Sequence, residues 1–88
     1  MVLSSNYELV EVAGEFLAVP VGEMAEKTKD VFTFSKAAGF LMGLLKEPKT
    51  EEEMIEAIVR EYELDAKTAE IDVKEFMSSV RSYGLVNE

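Results

Sequence analysis

The order of the elements constrains this chain more than any other feature. Short β-rich runs fill residues 7–34, and helical periodicity then runs from Ser35 to Gly84. Strands that precede helices, rather than alternating with them, are typical of a segregated α+β fold. No internal repeat or linker divides the 88 residues, and that length suits one small domain. The sequence therefore predicts a single α+β domain over residues 1–88.

Two strands and a tight turn are predicted at the start of the chain. Residues 7–12 and 15–19 are rich in β-branched and aromatic side chains. Ala13-Gly14 between them suits a two-residue hairpin turn, because Gly14 tolerates the positive φ that such turns need. A polar connection over residues 21–29 then leads to the third strand.

The third strand is predicted over Asp30–Phe34. Residues two apart share a face of a strand, so Phe32 and Phe34 are expected to enter the core. Val31 and Thr33 then face the other way. The run is short and flanked by charged residues, as natural sheet edges tend to be.

Three helices are predicted to follow, each with a capping residue. Ser35 suits the start of the first, Thr50 with Glu53 forms a capping box at the second, and Asp65 suits the start of the third. Pro48 and Gly84 mark helix ends. The third helix has a core face predicted from its apolar spacing: Ala69, Val73, Phe76, Met77 and Val80.

The apolar content gives no reason to expect a membrane protein. The longest apolar stretch, Ala37 to Leu45, is far shorter than the ~20 residues that cross a bilayer. Gly39 and Gly43, one helical turn apart within it, instead predict close packing in a soluble core. The first residues show no signal-peptide pattern, and the absence of cysteine fits a reducing compartment. We expect a cytoplasmic protein.

Composition excludes most catalytic chemistry. The chain has no His and no Cys, so it holds no Ser-His-Asp or Cys-His arrangement to activate a nucleophile. No EF-hand loop or glycine-rich phosphate loop is present, and we expect neither a metal nor another cofactor. Eighteen acidic and nine basic side chains give a net charge of −9, which disfavours nucleic acid as a partner. A non-enzymatic binding module is the prediction.

One charge pattern stands out on the third predicted helix. Lys67, Lys74 and Arg81 recur every seven residues, so they form one line along the helix, with Ile71 and Ser78 between them. We call these five residues the basic stripe. Either it is an ordinary solvated face, or Ile71 marks it as a contact surface for a partner.

A pattern of turns and apolar positions extends over most of the chain, about residues 7–87. Its members are Gly14-Glu15, Val19-Pro20, Leu44-Leu45, Thr50-Glu51-Glu52, Ile55, Tyr62, Asp72-Val73, Phe76 and Gly84-Leu85-Val86. The pattern resembles the PqqD-like proteins, named for the peptide chaperone of pyrroloquinoline quinone biosynthesis. It contains no catalytic signature and does not identify a pathway.

The resemblance implies a winged helix-turn-helix-like fold, with three N-terminal strands packed on three helices. It also implies a recognition element for ribosomally made, post-translationally modified peptides. Such a domain holds the leader of a precursor peptide and presents it to a modifying enzyme, often a radical SAM protein. The leader adds as a strand to the edge of the third strand, here Asp30–Phe34, in a groove against the third helix, here Lys67–Arg81.

From these expectations we predict that Val31 and Thr33 face the leader and that Lys74, Ser78 and Arg81 line the opposite wall. A basic wall predicts an acidic leader, so replacing its cations with Glu should weaken binding. A winged-helix DNA-binding regulator is the alternative. It needs a basic recognition helix, whereas the second helix carries glutamates and a single Arg60. A binding domain for some unrelated protein also stays open, as does the choice between monomer and homodimer.

Overall fold

Five strands and four helices make up the computed structural model, which describes residues 1–88. The strands are β1 (Val2–Leu3), β2 (Tyr7–Val12), β3 (Glu15–Pro20), β4 (Phe32–Phe34) and β5 (Val86–Asn87). The helices are α1 (Glu23–Lys27), α2 (Lys36–Leu44), α3 (Glu51–Tyr62) and α4 (Ala66–Ser82). An antiparallel sheet early in the chain, followed by three consecutive helices, confirms the α+β class.

The main sheet has the strand order β2-β3-β4, with both pairs antiparallel. The hairpin between β2 and β3 has the predicted two-residue turn, in which Ala13 (φ 52°) and Gly14 (φ 82°) both take positive φ. β4 pairs with β3 from Phe16 opposite Phe34 to Ala18 opposite Phe32. No strand lies on its other side, so β4 is a free edge of the sheet.

The structure differs from the predicted order of three strands and three helices in two places. The predicted polar connection over residues 21–29 contains the short helix α1, which has no buried residue and therefore no apolar periodicity to reveal it. The two chain ends also pair, with Val2 opposite Asn87 and Leu3 opposite Val86. Strands of two residues are too short to show alternation. β4 itself is shorter than predicted and excludes Asp30 and Val31.

Each long helix begins at the predicted capping residue. The Ser35 hydroxyl accepts a hydrogen bond at the start of α2. At α3, Thr50 Oγ1 accepts from the Glu53 N–H at 3.1 Å, and Glu53 Oε1 accepts from the Thr50 N–H at 2.9 Å. At α4, Asp65 Oδ1 accepts from the Thr68 N–H at 2.7 Å. These bonds satisfy backbone donors that helix starts leave free.

The cap at Asp65 makes a prediction about acid stability. The backbone N–H of Thr68 holds the pKa of the Asp65 carboxyl below its usual value of 3.8. A carboxyl whose pKa is lower in the folded state than in the unfolded state stabilises the fold at pH values above its unfolded pKa. This contribution is lost as the pH falls through the folded pKa. Asn caps a helix as well as Asp but does not titrate. We therefore expect the melting temperature of Asp65→Asn to fall less steeply than that of the wild type between about pH 5 and pH 3. Parallel pH profiles for the two proteins would contradict this account of the cap.

The core lies between the sheet and the three long helices. The predicted core face of α4 is confirmed, since all five of its residues are buried. They meet further buried side chains from the other elements: Tyr7, Ala18, Leu41, Met42, Leu45, Met54, Ile58 and Leu85. Leu85 is fully buried, so the chain folds back onto the core after Gly84.

α2 approaches β3 most closely at a glycine. A Cβ built on Gly39 would lie 2.6 Å from Phe16 Cγ and 2.8 Å from Phe16 Cβ. Those atoms are at the root of the Phe16 side chain, so the ring cannot swing away from an added methyl group. One turn later, a Cβ on Gly43 would meet nothing within 4 Å. The predicted close packing is therefore confirmed at Gly39 but not at Gly43.

The two glycines form a matched pair for mutation. Gly43→Ala should raise the free energy of unfolding by about 0.5–1 kcal/mol, because Ala loses less entropy than Gly in a helix. Gly39→Ala should lower it by about 1–2 kcal/mol, since overpacking against Phe16 exceeds that gain. Urea unfolding of both variants measures the difference. Similar stabilisation by both substitutions would show that α2 and β3 separate freely.

Candidate functional site

A groove of about 740 Å³ lies between β4 and α4. Fifteen residues from β4 and its flanks, α2, α3 and α4 line it, and two-thirds of them are hydrophobic. The strand side contributes Val31, Phe32, Thr33, Phe34 and Ser35, α4 and its C-terminal end contribute Asp72, Glu75, Phe76, Ser79, Val80 and Tyr83, and α2 and α3 contribute Ala37, Ala38, Leu41 and Ile58. We refer to this space as the groove.

The strand wall of the groove is β4, one of the two edge strands of the sheet. β4 uses one side to pair with β3, and its other side has no strand partner. Phe32 and Phe34 are half-buried and pack against the core, as predicted. Val31 is 49% exposed and Thr33 is also exposed. The edge thus combines an apolar surface with main-chain groups open to a further strand.

The helix wall comes from one face of α4. Its residues follow steps of three and one along the sequence, which is the spacing of a single helical face. Phe76 and Val80 belong both to this face and to the core, so the groove borders directly on the core. Asp72, Glu75 and Ser79 are exposed beside them.

An aromatic cluster joins β4 to the end of α4. The Phe32 ring lies 5.1 Å from the Tyr83 ring and 5.9 Å from the Tyr7 ring, measured between centroids. Both separations fall in the range of favourable aromatic pairs. Tyr83 is nevertheless 57% exposed, so much of this ring is open for contact at one end of the groove.

The charged side chains that line the groove are all acidic. Asp72 and Glu75 both line it, and no Lys or Arg does. Neither carboxylate forms an ion pair, because the three ion pairs of the chain are Lys49–Glu47, Lys74–Glu70 and Arg81–Glu88. No group of three or more potential ligand side chains is arranged to hold a metal ion. No helix combines the length and apolar character needed to span a membrane. The apolar lining and the two unpaired carboxylates give the groove the features of a binding surface for an apolar or cationic ligand.

Comparison with known proteins now decides the family. Residues 24–86, more than half of the chain, match the model of the family described as Coenzyme PQQ synthesis protein D (PqqD). The chain belongs to the PqqD family. The resemblance inferred from the sequence is thereby confirmed. No curated protein matches the chain closely enough to name a relative.

A solved structure shares the fold of this PqqD-family chain. It is TbiB1 in complex with the TbiA(beta) leader peptide, with a TM-score of 0.79 and 24% sequence identity. The match covers 97% of this chain and 93% of that chain. At this identity the likeness shows a shared fold and nothing finer.

The basic stripe lies outside the groove. None of Lys67, Ile71, Lys74, Ser78 and Arg81 lines it. An α-helix turns by about 100° per residue, so the centre of the stripe lies roughly 150° around α4 from the centre of the groove face. The stripe therefore does not line this groove. Its involvement in peptide binding elsewhere stays a prediction.

Two of the three cations of the stripe already have acidic partners. Lys74 Nζ lies 3.0 Å from Glu70 Oε1, and this hydrogen bond raises the pKa of Lys74. Arg81 forms two hydrogen bonds with Glu88, at 3.0 and 2.8 Å, and they lower the pKa of the Glu88 carboxyl. The interpretation of the stripe as an ordinary solvated face gains support from these pairs.

Most of the predicted strand residues of the site do line the groove. Val31, Phe32, Thr33 and Phe34 all line the groove. Asp30 does not line it, and its N–H donates to Thr28 Oγ1 in the approach to β4. Four predicted residues are thus together on one wall, opposite a different face of α4 from the one predicted.

Sequence reasoning missed the polar residues of the helix wall and Tyr83. The sequence marks Asp72 only as part of the family pattern, and it does not single out Glu75, Ser79 or Tyr83. A signal did exist, since Asp72 and Glu75 flank the predicted core positions Val73 and Phe76. Both polar flanks of a core face look alike in sequence, however, and only the position of β4 distinguishes them.

Proposed function

We propose that this protein binds the leader segment of a ribosomally made precursor peptide and presents that peptide to a modifying enzyme. Membership of the PqqD family supports the proposal, as does the shared fold with TbiB1, which was solved with a leader peptide bound. The groove beside an unpaired strand is the observation that carries it.

The proposed binding mode is strand addition at β4. An extended peptide on the free side of β4 gains main-chain hydrogen bonds, while alternate side chains reach pockets beside the strand. The groove provides such a pocket, with Phe34, Leu41 and Val80 among its apolar lining residues. The peptide-binding residues are then Val31–Phe34 together with the groove face of α4. This mode does not need the basic stripe.

In this proposal the chemistry belongs to the partner enzyme, for which we propose a radical SAM protein on the strength of the family resemblance. The chain itself has no His or Cys with which to activate a nucleophile. Its contribution is to hold the leader so that the following segment reaches the active site of the enzyme. We propose the cytoplasm as the place of this work, because precursor peptides are made by ribosomes there.

The DNA-binding alternative has weaker support. Phosphate contacts require cations that are free to displace counterions. Lys74 and Arg81, the two cations nearest the middle and end of α4, are already paired with carboxylates. A net charge of −9 further opposes approach to a polyanion.

A paired substitution tests the groove. The probe is a synthetic peptide with the N-terminal segment of a short precursor encoded beside this protein. Tyr83→Ala should weaken its binding roughly tenfold, because an exposed aromatic ring at an interface often contributes more than about one kcal/mol. Ile71→Ala is the control, since Ile71 is similarly exposed (52%) on α4 but does not line the groove. Isothermal titration calorimetry measures both affinities, and melting temperatures check that each variant is folded.

Three results would contradict the proposal. A loss confined to Ile71→Ala would move the peptide to the basic stripe, and equal losses would show no preference for the groove. No peptide binding, together with salt-sensitive binding of duplex DNA by the same sample, would favour the regulator.

A further inference from the structure

The side chains that line the groove include two carboxylates and no cation. Asp72 and Glu75 are exposed on its helix wall, and neither forms an ion pair. The centre of the basic stripe, which contains the cations of α4, lies roughly 110° around the helix from the centre of this acidic pair. Two of those cations, Lys74 and Arg81, are engaged by other carboxylates.

This charge has a consequence for the ligand. An Asp or Glu side chain of a peptide in the groove would lie near two unpaired carboxylates. Like charges at a binding surface oppose association. A Lys or Arg side chain would instead give each carboxylate a partner. The net charge of −9 adds a long-range attraction for cationic peptides.

We propose that the leader carries a Lys or Arg that binds the carboxylates of Asp72 and Glu75. This inference rests on the proposed function and specifies its substrate class. It reverses the expectation of an acidic leader, which depended on the basic stripe lining the groove. The apolar lining and the acidic pair together call for a leader with an apolar residue and a cation at a fixed separation.

The geometry of α4 sets that separation. Tyr83 lies eight residues after Glu75 and eleven after Asp72, which is about 12–16 Å along a helix. An extended peptide advances about 3.3 Å per residue, and every second side chain has the same direction. In a peptide that runs along the groove parallel to α4, the cation should therefore be about four residues from the apolar residue that contacts Tyr83.

Peptide display tests the inference and does not require the leader to be identified. A library of random linear twelve-residue peptides is selected on three forms of the full chain. These are the wild type, the groove variant Asp72→Lys/Glu75→Lys, and the control variant Glu52→Lys/Glu56→Lys. Glu52 and Glu56 are exposed on α3, line no part of the groove and form no ion pair, so the control changes the net charge equally.

The wild type and the control should enrich peptides with Lys or Arg about four residues from an apolar or aromatic residue. The groove variant should enrich Asp or Glu at the position of the cation. The best wild-type peptide should bind the groove variant roughly three- to tenfold more weakly, as expected for exposed ion pairs. Its binding to the wild type should weaken as salt is added, and this dependence should be smaller in the groove variant than in the control variant, because the local attraction is replaced by repulsion.

Enriched peptides without a cation, or cationic peptides selected equally by the groove variant, would overturn the charge inference while leaving the proposed function standing. An equal loss of affinity in the control variant would also overturn it, because net charge alone would then explain the preference. If no form of the protein enriches any peptide, the proposed function fails and the inference with it.

Discussion

The buried face of α4 fixes the rotation of that helix, and the groove depends on that rotation. Val73, Phe76 and Val80 are almost completely buried against the other elements. Turning the helix by one residue, about 100°, would expose this face and bring Ile71 toward β4 in place of Asp72. Interiors are too closely packed to allow such a shift without loss of many contacts. The core therefore decides which side chains a ligand beside β4 meets.

An unpaired strand edge is usually a liability, because its free main-chain groups can pair with other chains. β4 limits this risk by its length of three residues, and the adjacent wall adds the like charges of Asp72 and Glu75. In the proposed binding mode the same features select the ligand, since a short edge gives modest affinity that side-chain contacts in the groove must complete. Protection from wrong partners and recognition of the right one thus use the same residues.

Much of this fold could be predicted from local patterns. The hairpin turn at Ala13-Gly14, the cap at Asp65 and the core face of α4 each depend on residues close in sequence, and all are confirmed. The short helix α1 was not predicted because it has no fully buried residue and is too short to show helical periodicity. The face of α4 that lines the groove was not predicted, for a different reason. Periodicity identifies the core face of a helix, but the choice between its two polar flanks depends on where β4 lies in three dimensions.

The central claim is that a leader peptide adds as a strand to the free edge of β4. Intermolecular nuclear Overhauser effects between labelled protein and an unlabelled leader peptide test it most directly. The account predicts backbone contacts from the peptide to Val31–Phe34, in the alternating pattern of a paired strand, and side-chain contacts to Tyr83. Contacts confined to the basic stripe, or peptide contacts to β4 without the alternating backbone pattern, would contradict it.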